Sequence, residues 1–399
     1  MKKKIAILGS TGSIGKSLIN IIKNDKKNFK VVLLTANKND KELINQAKLF
    51  NVKNLIITDK KIFEVLKKKN IKNINIFNNY KNLDSIFKNK IDYVMSSISG
   101  INGLQPTLDI IKHTKKIAIA NKESIICGWN LLHKKMKLNK TEFIPIDSEH
   151  FSINELIRNT DKKNIEKIYI TASGGPFLKK KFTFFNKIKV SSAIKHPTWK
   201  MGKKISIDSS TLINKVYELV EAKKIFDLDY SKLDILIQPT SYIHSIIKFY
   251  GGIIKVLIHD TSMIIPIQNS LYKNKKNKLK RMSSNIKMNL INNLNLQPVP
   301  KNKFPIHKIL KKLPKTDSLF ETILVSANDT LVDLFLENKI SYNNIHKNLN
   351  KVLSLREFQK YKNKSPKNIT EILKLNEYVR LKTQTLSVVW FFLIWEFLN

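Results

Sequence analysis

The chain has almost no cysteine. Cys127 stands alone among 399 residues, so no disulfide framework holds the fold and a reducing compartment suits it. It also lacks a long apolar run. No stretch reaches the roughly 20 apolar residues that span a bilayer. The nearest is Leu386 to Leu398, interrupted by Glu396. The basic start Met1-Lys2-Lys3-Lys4 meets only Ile5 to Leu8 before a glycine turn, too short for the apolar part of a secretion signal. A cytoplasmic location without a membrane span is expected. Acidic residues are scarce too: 31 Asp+Glu face 72 Lys+Arg, a formal net charge of +41. Such charge attracts anions nonspecifically and opens the possibility of nucleic-acid binding. The lysines, however, are mixed with Asn and Ile along the whole chain and form no single stripe. That spread reads as a solvated surface shaped by A+T-rich coding DNA, and no specific nucleic acid is expected.

What is present divides into stretches. A hydrophobic content of 42% supports real cores, and the length suggests two or three domains. Lys4 to Leu8 reads as a strand, Gly9-Ser-Thr-Gly-Ser-Ile-Gly15 as a turn, and Lys16 to Lys23 as a helix. Strand, glycine turn and helix in that order cradle a dinucleotide pyrophosphate on backbone N–H groups. The second strand, Phe29 to Ala36, ends in Asn37-Lys38-Asn39. The acid that holds the ribose hydroxyls in NAD sites is absent there, and a cation suits a 2'-phosphate, so NADPH is favoured. Lys38 also reads as one more surface lysine. Further strands near 55–58, 93–95 and 117–120 alternate with helices, the pattern of a doubly wound parallel sheet.

Asn121, Lys122 and Glu123 follow one such strand, and Phe143 to Ile146 runs into Asp147-Ser148-Glu149-His150. On an extended backbone Asp147 and Glu149 point the same way. With Glu218, from a later helical segment, they offer three oxygen ligands to a hard divalent ion. Asp147 as helix cap with Glu149 as first-turn acid is the plainer reading, as is Asn121 as a cap. Ser173-Gly-Gly-Pro-Phe177 ends another strand; it is an anion-holding turn or an ordinary one. His196-Pro-Thr-Trp-Lys-Met-Gly202 has neither period and reads as a loop closing over a ligand, although an isolated Trp is more often packing. The stretch from Ile205 opens a helix that runs to about Phe226, with Asp208 or Ser209 as its N-cap. Its Asn214, Lys215 and Glu218 share a face, which on spacing alone is a surface ion pair. Gly251-Gly252 between apolar runs signals a hairpin. Residues 272–299 read as a linker and 300–399 as a small helical domain. The division expected is 1–147 for the dinucleotide, 148–271 for catalysis with a flap at 195–203, then linker and helices.

Taken together these motifs, with Lys204-Ile-Ser-Ile-Asp-Ser209, resemble the 1-deoxy-D-xylulose 5-phosphate reductoisomerase family in order and spacing over about residues 4 to 385. The resemblance implies an α/β protein: a Rossmann-like N-terminal domain, an α+β catalytic domain and a C-terminal helical domain. It implies an NADPH-dependent, metal-dependent rearrangement and reduction of 1-deoxy-D-xylulose 5-phosphate to 2-C-methyl-D-erythritol 4-phosphate, by a homodimer. By the same resemblance Asp147, Glu149 and Glu218 bind Mn2+, Mg2+ or Co2+. Lys122, Ser148, Glu149, Ser173, His196, Ser209, Asn214, Lys215 and Glu218 bind the sugar phosphate, with Lys122, Glu149, Lys215 and Glu218 catalytic. Thr11, Gly12, Ser13, Ile14, Asn37, Lys38, Asn39, Asn121, Glu123 and Gly202 bind NADPH, and Trp199 and Met201 belong to the flap. The chain departs from the family at Asn37 and Val216, usually Gly, and at Ile264, usually Arg. A metal-free NADPH reductase and a basic nucleic-acid binder are the competing readings.

Overall fold

The structure is a computed structural model and describes residues 1–199, 201–272 and 286–398. The chain forms two compact units. The first holds Met1–Ile125, Asn130–Phe151 and Ser262–Ser284; the second holds Ile126–Trp129, Ser152–Thr261 and Asn285–Asn399.

In the first unit, seven short strands form one parallel sheet. They are β1 (Lys3–Leu8), β2 (Phe29–Ala36), β3 (Asn54–Ile57), β4 (Asn75–Phe77), β5 (Tyr93–Ser96), β6 (Lys116–Ile119) and β7 (Glu142–Pro145). Their order is β4-β3-β2-β1-β5-β6-β7. The chain winds outward one way from β1 and then returns to its other side at β5, so the crevice for a ligand opens beyond the carboxyl ends of β1 and β5. Both strands are buried on both faces, which is why Ile5 to Leu8 and Tyr93 to Ser96 read as continuous rather than alternating runs. Helix Ser13–Lys23 lays Leu18, Ile19 and Ile22 on the sheet. The same core takes in helix Ile264–Tyr272 through Ile267, Leu271 and Tyr272. Tyr272 sits edge-on to Phe29 and donates to Asp25 at 2.6 Å. The reading of 148–271 as one continuous domain thus meets a chain that returns to the first unit from residue 262. A short apolar helix carries no mark of which sheet it will cover.

The second unit is built on β8 (Ile165–Ala172), β9 (Leu233–Ile237), β10 (Ile243–Phe249), β11 (Ile254–Ile258) and β12 (Gln297–Pro298), in the order β11-β10-β8-β9-β12. β10 and β11 form the hairpin expected at Gly251-Gly252. β12 comes from the stretch read as linker; a strand of two residues has no periodicity to see. Residues 273–285 of that stretch lie outside the described residues. Helices Phe320–Leu336, Tyr342–Leu353 and Ile369–Leu398 belong to this same unit. Phe320–Leu336 is buried almost all round, packed on both of the others. Among the described residues no helix is long and apolar enough to cross a membrane.

Candidate active site

The glycine turn of the first unit is shaped by close approach. Gly9 has φ 77°, and a Cβ there would lie 2.8 Å from the Ser97 carbonyl oxygen. A Cβ on Gly15 would lie 2.4 Å from the Gly9 oxygen, so only glycine lets the helix start this near the strand. Gly12, the residue before helix Ser13–Lys23, is exposed, as is Ser13; Thr11 and Ile14 are half-buried. The helix therefore presents free N–H groups and the positive end of its dipole at an open turn, the arrangement that attracts phosphate. Thr35 supports the turn, accepting from Gly9 N at 3.0 Å and from the Tyr80 hydroxyl at 3.0 Å.

At the end of β2, Asn37 donates to Thr58 Oγ1 at 2.9 Å, and Asn39 caps helix Asp40–Phe50 by accepting from Glu42 N at 3.2 Å. Asn37 does not take the left-handed backbone. Asparagine therefore needs no special tolerance here, and a usual glycine is replaced without strain. Lys38 is exposed. Asn121 is the cap of helix Lys122–Leu138: it accepts from Ser124 N at 2.8 Å and donates to the Gly100 oxygen at 2.6 Å and to the Ile98 oxygen. Glu123 is buried in that helix's first turn.

Lys122 Nζ lies 3.0 Å from Asp147 Oδ2, both at carboxyl ends of adjacent strands. Asp147 ends the extended segment, and helix Ser148–Leu156 begins at once, with Glu149 in its first turn. Asp147 and Glu149 are thus oriented by a helix start and not by a continuous strand, because β7 ends at Pro145 and the helix begins at Ser148. Glu149 is buried and accepts from the Ser148 hydroxyl at 2.5 Å.

In the second unit, Ser173 follows β8 in a turn with Gly174 and Gly175 at positive φ. Its hydroxyl accepts from Gly175 N at 3.1 Å and meets His196 Nε2 at 3.0 Å. A Cβ on Gly175 would lie 2.9 Å from Ser210 Cα, so this turn is pressed against the backbone beside Ser209. His196 Nδ1 accepts from Trp199 N at 3.0 Å and Thr198 N at 3.2 Å. The proton is therefore on Nε2, aimed at Ser173. Burial first, and the nearby Lys215 charge second, lower the His196 pKa from 6.5 to about 4, so the ring is a neutral donor near pH 7. Trp199 stands edge-on to His244 at 6.1 Å, and His244 stacks on His259 at 3.6 Å. The sequence marks neither histidine with a motif, since they meet across the β10–β11 hairpin. Gly202 caps helix Lys203–Ser210, with open space where a side chain would be.

Where one helix to about Phe226 with its N-cap at Asp208 or Ser209 is expected, there are two: Lys203–Ser210 and Ile213–Phe226. Leu212 breaks them with φ 61°. Asp208 is consequently buried inside the first helix and caps neither. Helical periodicity persists across the break, and leucine gives no sign of a left-handed residue. In the second helix Asn214 donates to Glu218 Oε1, and Lys215 Nζ lies 2.6 Å from Glu218 Oε2. All three side chains are buried, which overrules the surface ion pair that spacing alone suggests. Val216 is fully buried in the same helix. A buried ion pair is a poor source of stability, so Lys215–Glu218 is better explained by chemistry than by folding; in Lys122–Asp147 the lysine is buried and the aspartate half-buried.

Family models match in three segments: "1-deoxy-D-xylulose 5-phosphate reductoisomerase" at residues 5–128, that enzyme's C-terminal domain at 143–226, and "DXP reductoisomerase C-terminal domain" at 259–382. A 1-deoxy-D-xylulose 5-phosphate reductoisomerase of Pelagibacter ubique is 59% identical over 390 residues, covering 97% of this chain and all of that protein. One from Thermoanaerobacter pseudethanolicus is 36% identical, covering 85% of this chain and 89% of that one. The solved enzyme of Zymomonas mobilis in complex with NADPH matches with TM-score 0.84 at 28% identity, over 97% of this chain and 99% of that one. A DOX-P reductoisomerase in complex with NADPH, fosmidomycin and magnesium matches with TM-score 0.86 at 27% identity, over 97% and 98%. With relatives this similar along nearly its whole length, the chain belongs to the 1-deoxy-D-xylulose 5-phosphate reductoisomerase family.

Proposed function

We propose that this chain converts 1-deoxy-D-xylulose 5-phosphate to 2-C-methyl-D-erythritol 4-phosphate, using NADPH and a divalent metal. The observation that carries the reading is the buried Asn214-Lys215-Glu218 face in a chain 59% identical to a named reductoisomerase. Asp147, Glu149 and Glu218 are the proposed metal ligands. Their donor chemistry fits: carboxylate oxygens suit Mg2+ or Mn2+, with Co2+ also tolerated. Two of the three, Asp147 and Glu218, already face an ammonium, so each lies where positive charge is wanted. The glycine turn fits a dinucleotide, with Gly12 leaving room for the pyrophosphate and Lys38 offered to a 2'-phosphate. Thr11, Ser13, Ile14, Asn37, Asn39, Asn121, Glu123 and Gly202 complete the proposed NADPH contacts. When bound, the metal polarises the substrate's ketone and neighbouring hydroxyl oxygens, and NADPH supplies the hydride.

The chain's own residues do the rest. Ser173, Ser209, Asn214 and Lys215 hold the phosphate, and His196 donates its Nε2 proton into the same turn. This remote anchor provides binding energy for orienting the reacting carbons and closing the 195–203 loop, of which Lys200 lies outside the described residues. Lys122 and Lys215 stabilise negative charge that develops on substrate oxygen during the rearrangement. Ser148 orients the Glu149 carboxylate. Trp199 and Met201 exclude water during hydride transfer.

A second copy of the chain is the proposed partner. β11 is an edge strand, and Ile254 and Val256 on it, with Tyr250 and Ile253 in the adjoining turn, are exposed. An apolar edge of this kind is normally covered by another chain. A cytoplasmic setting is proposed from the lone thiol of Cys127.

The test is NADPH oxidation with 1-deoxy-D-xylulose 5-phosphate, with Mg2+ or Mn2+ and then with EDTA. Turnover that depends on both substrate and metal supports the reading. Oxidation that survives EDTA would favour the metal-free reductase instead. Salt-sensitive, sequence-selective affinity for duplex DNA without turnover would favour the nucleic-acid reading.

A further inference from the structure

The break at Thr211–Leu212 is held from outside. Leucine avoids the left-handed backbone found at Leu212, so a φ of 61° persists only where neighbours enforce it. Three buried side chains from the C-terminal helices do this, all within the second unit. Asn328 donates to Asp208 Oδ1 at 2.7 Å. The Tyr342 hydroxyl donates to Ser210 Oγ at 3.1 Å. His346 Nε2 donates to the Thr211 carbonyl oxygen at 2.9 Å. Lys204 braces the same place, 2.8 Å from Asp208 Oδ2 and 2.9 Å from Asp329 Oδ1. The residues gripped are 208, 210 and 211, the immediate flanks of Ser209. Tyr342 also reaches the other turn: its ring packs edge-on to Phe177 at 5.4 Å, next to the Ser173-Gly-Gly-Pro segment.

We infer that Asn328, Tyr342 and His346 are positioning residues for the phosphate of the substrate, fixing the strained turn that presents Ser209, Asn214 and Lys215. The inference rests on the function proposed above. None of the three contacts substrate in this scheme. Their effect is to remove the ordering cost that a phosphate would otherwise meet when it gathers hydroxyl, amide and ammonium from two helices and a turn. The C-terminal helices thereby serve binding as well as stability.

Tyr342→Phe removes one hydroxyl and keeps the ring, and His346→Ala with His346→Gln removes and partly restores one donor. For each variant of the full-length protein the measurements are KM for 1-deoxy-D-xylulose 5-phosphate, kcat, KM for NADPH, the melting temperature, and Ki of inorganic phosphate as a competitive inhibitor. Substrate KM and phosphate Ki are expected to rise together, about fivefold for each lost hydrogen bond. KM for NADPH should stay at the wild-type value, and His346→Gln should recover part of the loss. An unchanged phosphate Ki in both Tyr342→Phe and His346→Ala, whatever the change in melting temperature, would overturn the inference. Absence of turnover in the wild type would instead sink the function reading, so the two failures are distinct.

Discussion

The two units prepare for ligands by different physics. For a dinucleotide the first offers mostly backbone: an open glycine turn and the N–H groups of helix Ser13–Lys23, with Lys38 exposed at the end of β2. The glycine turn itself carries no charged side chain, although Lys122, Glu123 and Glu149 are buried elsewhere in the same unit. The second offers buried side chains, with Glu218 and Lys215 taken out of water and a neutral His196 beside them. A backbone site is specified over a few consecutive residues and stands without its ligand. A site of desolvated charges stands only where distant parts of the unit supply counter-charges and hydrogen bonds. The same contrast explains why substitutions at the glycine turn and at the Ser173 and Asn214–Glu218 sites should separate cofactor effects from substrate effects.

The sharpest way to break that separation is Glu218→Gln. Turnover should fall by about 10³-fold or more, the scale on which groups acting on developing charge are felt, while NADPH binding, followed by nicotinamide fluorescence, stays near wild type. Equal loss of NADPH affinity would mean that Glu218 and the glycine turn do not serve separate ligands. Next comes a matched pair of glycines. Gly15→Ala drives a methyl into the Gly9 carbonyl, overpacking worth about 1–3 kcal/mol, and should weaken NADPH about tenfold or more with substrate KM little changed. Gly175→Ala meets both a φ of 66° and the Ser210 backbone, and should do the reverse, raising substrate KM about tenfold. Lys38→Ala sharpens the comparison at smaller amplitude. Being exposed, Lys38 should cost NADPH only a few-fold in KM, leave NADH unaffected, and lose its effect at high salt.

The smallest effect is in pH. His346 is buried, and burial lowers its pKa from 6.5 to about 4, the bond to the Thr211 oxygen opposing this only in part. In the unfolded chain it protonates near its ordinary value. Between about pH 6.5 and 4 the unfolded state therefore binds more protons, so stability falls as pH drops through that window and this contribution vanishes above it. His196 adds in the same direction, less strongly because it is partly exposed. The urea midpoint should decline from pH 7 to 4.5, and His346→Gln should flatten that decline. An unchanged slope would mean another group governs it.

How much was legible follows the same division. β1, the glycine turn and the following helix were readable because the period, the glycines and the order of elements all lie within about twenty residues. The Gly251-Gly252 hairpin was readable for the same reason. The break at Leu212 was not, since the apolar period continues through it and the enforcing residues, Asn328, Tyr342 and His346, are more than a hundred positions away. Nor was the return of 262–272 to the first sheet, because apolar spacing reports that a face is buried and not against what.

By itself the sequence determined the class of chemistry. Carboxylates, lysines, serines and a glycine turn in a characteristic order name the functional groups, and the order of strands and helices names the sheet that carries the cofactor. Only the tertiary structure decided which charges lose their water. Spacing makes Lys215 and Glu218 a surface pair, and the same two residues become a site once the second unit closes over them. The physical reason is that desolvation depends on what the rest of the chain places nearby, a quantity no local window contains.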